Sequence, residues 1–120
     1  MNYKIRNSIL FLLFAFSVSS YADDEKLVPV NYSTVEHIKI FDSIKLNLKD
    51  PSSLIVRKEI MNYKGNGMLK ACWEISAKNS YGGYGDSEIV YVAYFGETPP
   101  SNSFVVFGES AVGMCKSILE

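Results

Sequence analysis

Histidine occurs once and cysteine twice in this 120-residue chain, too few for the nitrogen and sulfur ligand sets of a metal centre. The two cysteines, Cys72 and Cys115, form no Cys-x-x-Cys motif, so the arrangement that activates a thiol for redox work is missing. No glycine-rich stretch ends in Gly-Lys-Ser or Gly-Lys-Thr, which removes the phosphate loop of nucleotide-binding proteins. The 12 lysines and arginines are scattered among 13 acids for a net charge of −1. That leaves no basic patch for nucleic acid or anionic lipid. No apolar run reaches the roughly 20 residues of a spanning helix, and neither an internal repeat nor a low-complexity linker is present. Nucleic-acid binding, a stable membrane anchor and a cofactor are therefore not expected.

What is present begins with an address. Lys4 and Arg6 precede the apolar stretch 9–18, and Ser20-Tyr21-Ala22 supplies small residues where a signal peptidase inspects the chain. Residues 1–22 are expected to be a signal peptide cleaved between Ala22 and Asp23. No cysteine stands at that point to carry a lipid, so the product is expected in the periplasm or secreted beyond it. Lys4 and Arg6 lie in the leader and none of the acids does, which takes the formal charge of residues 23–120 to −3. One small domain is expected there. In an oxidising compartment its two thiols most simply form one disulfide, Cys72–Cys115.

Residues 23–32 read as an extended lead-in. Ser33 with Glu36 makes a capping box that opens an amphipathic helix over 34–48, with Ile38, Ile40, Phe41, Ile44 and Leu48 on its apolar face. Asp50-Pro51-Ser52-Ser53 is a turn, since the residue before proline leaves helical space. Alternation then predicts a strand over 54–62 with Leu54, Val56 and Ile60 on one side. Asn66-Gly67 predicts a tight hairpin into a strand over 68–78, where Trp73, Ile75 and Ala77 oppose Cys72, Glu74, Ser76 and Lys78. A third strand over 88–95 is apolar on both faces: covered on both sides, or keeping one face for a partner. A last short strand is expected over 104–107, and a short helix over 110–119 that Gly113 weakens. The expected fold class is α+β: one N-terminal amphipathic helix packed on an antiparallel meander of three to four strands, stapled by one disulfide.

Two blocks, Leu48-Lys49-Asp50-Pro51-Ser52-Ser53 and the stretch from Ala71-Cys72-Trp73 through Ala77-Lys78-Asn79-Ser80-Tyr81-Gly82-Gly83-Tyr84-Gly85, resemble a group of small, exported, uncharacterised proteins of Gram-negative bacteria. The resemblance implies an exported protein with a Lys-Asp-Pro-x-Ser turn and a cysteine-bearing strand that runs into this loop. Trp73 stands where a small residue follows the cysteine in that group. No reaction and no catalytic residue comes with the likeness.

The glycine-rich loop is the leading candidate site: Tyr81, Gly82, Gly83, Tyr84 and Asp86. Its glycines allow backbone shapes closed to other residues, and tyrosine at a loop tip offers flat amphipathic contact area. Alternatively the glycines merely serve a turn and the tyrosines fold back over the core. His37 falls within the apolar face near the helix start, where a packed, hydrogen-bonded ring is the simpler reading than a base or ligand. Glu74, Asp86 and Glu88 could converge near one end of the second hairpin as a carboxylate pair. More simply the strand-borne Glu74 and Glu88 are solvated, or paired with Lys78 or Arg57 across the sheet. Three readings follow: a non-enzymatic envelope module binding a protein or glycan through the loop, a small carboxylate-dependent hydrolase, and a structural homodimer formed through the third strand.

Overall fold

The computed structural model describes residues 26–79, 81–95 and 99–119. The leader over 1–22, its cleavage before Asp23, and Ser80 of the loop lie outside the described residues. The elements in chain order are β1 (Val28–Pro29), α1 (Thr34–Lys45), β2 (Ile55–Gly65), β3 (Met68–Ser76), β4 (Glu88–Phe95), β5 (Phe104–Phe107) and α2 (Glu109–Ile118). Single 3-10 turns stand at Pro51–Ser53 and Pro100–Asn102. The strands pair in sequence order as one antiparallel meander. This is the expected α+β class with two corrections. The sheet has five strands, and the first helix is not the N-terminal element because a strand precedes it.

That extra strand is two residues of the lead-in, with Val28 opposite Lys64 and Pro29 opposite Tyr63. Proline is tolerated there because the strand lies on an edge. The chain presses so close that a Cβ on Gly65 would come within 2.6 Å of the Lys26 carbonyl oxygen, so only glycine fits. Tyr32 fastens the same segment. Its hydroxyl lies 2.7 Å from the Tyr63 carbonyl oxygen and 2.8 Å from that of Lys70, and it accepts from the Tyr63 amide at 3.1 Å. Burial pushes its phenol above the ordinary range.

The capping box forms at the start of α1. The Glu36 amide donates to Ser33 Oγ at 3.2 Å and the Ser33 amide to Glu36 Oε1 at 2.9 Å. The helix stops at Lys45, three residues before the expected end. Asn47 causes the stop: its side-chain amide occupies the Ser43 carbonyl at 2.9 Å, and its backbone amide turns to Ile44 instead, the competition typical of asparagine. Ile40 and Ile44 are fully buried against Ala71, Trp73, Ile75, Val90 and Val92.

In β2 the simple alternation fails twice. Arg57 and Ile60 have no partner across the ladder, so Val56 faces Ile75 and Glu59 faces Trp73. Two bulges thus bring Glu59 to the α1 side of the sheet and turn Ile60 outward, 42 % exposed. The opposite face carries a smaller core of Cys72, Tyr91, Ala93, Ala111 and Cys115, with α2 lying over it. The disulfide Cys72–Cys115 joins β3 to α2 across a Cα separation of 6.1 Å. β4 is therefore covered on both faces by its own chain, with Val90 through Tyr94 all buried.

Candidate binding site

The Asp-Pro-Ser-Ser turn and the glycine-rich loop, far apart in sequence, form one structural unit through Ser53. Proline at the first position of the 3-10 turn sets the backbone, which points the buried Ser53 hydroxyl toward the end of β3. Ser53 Oγ donates to the Asp50 carbonyl at 2.7 Å and accepts from the Lys78 amide at 2.8 Å. The Ser53 carbonyl accepts from the Tyr84 hydroxyl at 2.9 Å. Lys78 and Tyr84 in turn pair as an isolated antiparallel bridge, with the Lys78 ammonium 5.9 Å from the centre of the Tyr84 ring.

Inside that bridge Asn79 organises the turn. Its side-chain oxygen accepts from the Tyr81 amide at 2.9 Å and the Gly83 amide at 3.3 Å, and its own amide donates to the Gly83 carbonyl at 2.9 Å. Such side-chain mimicry of a backbone turn is a common use of asparagine. Gly82 is the glycine that the geometry requires, at a φ of +82°. Gly83 and Gly85 have open space where a Cβ would stand and no such φ. The two tyrosines part company. Tyr84 folds back onto the turn as a clamp, whereas Tyr81 projects from the loop 96 % exposed.

Below the loop runs an open groove of about 420 Å³ between the end of α1 and the ends of β3 and β4. Asp86 and Glu88 both line it, as do Lys49 and Lys78. Glu74 does not join them. Glu88 sits opposite Ile75 and Glu74 opposite Ile89, so these two carboxylates occupy opposite faces of the sheet; Glu74 accepts from the Ser87 hydroxyl at 3.1 Å instead. The three-carboxylate convergence is not formed, and no group of three metal-binding side chains occurs among the described residues. No protein-family model, no curated protein and no solved structure matches this chain, so its function is read from its geometry.

A second polar cluster lies on the α1 face. His37 Nδ1 is 3.1 Å from the Ser33 carbonyl and Nε2 is 2.7 Å from Glu59 Oε1, which also accepts from the Asn62 amide at 2.6 Å. Asn62 Oδ1 accepts from Trp73 Nε1 at 2.7 Å. The imidazole packs between the Tyr32 and Trp73 rings, at centroid distances of 5.8 and 6.0 Å. This string joins α1 to β2 and β3. Sequence alternation misses it because Glu59 reaches this face only through the bulges.

Proposed function

We propose that this chain is a non-enzymatic, exported interaction module of the cell envelope that holds its partner through the Tyr81–Asp86 loop. One observation carries the reading: a large aromatic side chain stands almost wholly in water on a loop that is tied at both ends. An exposed tyrosine on a pre-formed loop contributes contact area at small entropic cost. The disulfide suggests an oxidising compartment, and no helix among the described residues is long and apolar enough to cross a membrane. The likeness of the turn and loop blocks to small exported proteins supports the same address, as does the leader-like start. Catalysis is the weaker reading, since Glu74 and Glu88 lie on opposite faces. Dimerisation through β4 is weaker too, since both its faces are filled.

The test is capture from envelope extract and from host fluid by the mature, oxidised protein, with two variants chosen from the geometry. Tyr81→Ser removes the exposed ring and touches no packed contact. Tyr84→Phe removes only the clamp hydroxyl. A partner kept by the wild type and lost with Tyr81→Ser supports the module. Equal capture by Tyr81→Ser would sink it.

A further inference from the structure

The two edges of the sheet are built differently. On one side Pro29 stands in the edge strand β1, and the part of β2 that β1 leaves unpaired carries Arg57, Lys58 and Glu59 with two bulges. Proline, charge and bulges are the usual guards against the addition of a further strand. β5, at the other edge, has none of them. It reads Phe-Val-Val-Phe in unbroken register with β4, and no charged side chain stands between Glu97 and Glu109. We infer that this edge pairs antiparallel with the same edge of a second copy, joining two five-stranded sheets into one. The inference does not depend on the Tyr81 loop.

Backbone geometry sets the register. The Gly108 amide donates to the Ile89 carbonyl at 2.9 Å, so Gly108, Val106 and Phe104 turn their backbone groups toward β4. Antiparallel alternation then turns the N–H and C=O of Val105 and Phe107 outward, where no described residue bonds them. A two-fold axis at Val106 sets Val105 opposite Phe107 of the second copy, and every one of these outward groups gains a partner. On the α1 side valine then meets phenylalanine. On the α2 side Val106 meets its own counterpart, and the half-exposed Phe104 comes opposite Gly108. Aromatic and β-branched cross-strand pairs of this kind are favourable. Charge selects the same occupant. Glu109 falls opposite Ser103 of the second copy rather than its own counterpart, so this register opposes no like charges. Any other partner would have to bring an equally uncharged apolar strand, which this chain already supplies. An edge of four residues makes an interface below standard size, so the dimer is a weak one, with a dissociation constant in the tens of micromolar.

The experiment is sedimentation and amide hydrogen exchange on the mature, disulfide-bonded protein, from about 10 µM to about 1 mM. The expected result is a mass that rises from monomer to dimer, with exchange at the Val105 and Phe107 amides slowed about fivefold over the same range. The Val106 amide, bonded to β4 in either state, should not respond. Val106→Lys sets two ammonium groups against each other at the axis and should leave a monomer with both amides open. If that variant does not fold, the wild-type exchange still decides. A monomer at about 1 mM overturns the proposal, as does a dimer in which Val105 and Phe107 exchange as fast as in the monomer. Amides that stay open in the pure protein and close only when envelope extract is added overturn it too, and give the edge to an extended segment of another protein.

Discussion

Ser53 is the joint between the Asp-Pro-Ser-Ser turn and the candidate loop, and Ser53→Ala cuts that joint without altering a surface charge. The side chain is buried and makes two hydrogen bonds, to the Asp50 carbonyl and from the Lys78 amide, at 2.7 and 2.8 Å. Each such bond is worth about 1 kcal/mol net, so the variant should lose about 2 kcal/mol. For a domain of this size that lowers the melting temperature by about 10 °C. Fluorescence of Trp73, the single tryptophan, reports the melt. Ser52→Ala is the control: that exposed hydroxyl donates to the Asp50 carboxylate at 2.8 Å, and its loss should cost under about 0.5 kcal/mol. Limited proteolysis should also cut Ser53→Ala faster within 81–86, because the clamp on Tyr84 shares the turn. Equal melting temperatures for Ser53→Ala and Ser52→Ala, with equal cleavage rates, would refute the idea that turn and loop are one unit.

The other predictions concern the scaffold. The Cys72–Cys115 bridge closes a sequence separation of 43; reduction, or the double Cys→Ser variant, should cost about 4 kcal/mol on the chain-entropy view, read from denaturant midpoints. Ile44 is fully buried and Ile38 on the same helix is 52 % exposed. Ile44→Ala should therefore lose about 3 kcal/mol and Ile38→Ala under about 1 kcal/mol. Lys64, 2.7 Å from Glu36, together with the Ser33 amide holds the Glu36 carboxyl below its usual range. A depressed folded-state value adds stability above the unfolded carboxyl pKa of about 4.3, lost as pH falls through the folded value. With Lys64 half exposed that gain is under about 1 kcal/mol, and the acid side of the wild-type stability profile should flatten in Glu36→Gln.

Local chemistry was legible wherever neighbours in sequence decide it. Ser33 and Glu36 form the expected box, and Asn66 and Gly67 take φ values of +52° and +69°, as their hairpin turn requires. The alternation of β3 and β4 placed Trp73 and Ile75 opposite Cys72 correctly. Features set by distant contacts were not legible. Two extra residues in β2 change which side chains face α1, and nothing in the alternation marks Arg57 and Ile60 as the extras. A two-residue strand containing proline has too little pattern to read, and only the close approach to Gly65 explains it. Gly113 weakens α2 as an isolated helix, yet Ala111 and Cys115 anchor it to the sheet. The loop was visible as a loop. The separate roles of Tyr81 and Tyr84 were not, because they depend on the Ser53 carbonyl, 31 positions before Tyr84.

The central claim is that the exposed ring of Tyr81, on a loop held by Ser53 and Asn79, is where this protein meets its partner. The most direct measurement is the affinity for envelope extract of the wild type against Tyr81→Ser at matched melting temperature. The account predicts a loss of about 2 kcal/mol, as for a central aromatic contact, with Tyr84→Phe closer to the wild type. An unchanged affinity in a folded Tyr81→Ser protein would contradict it.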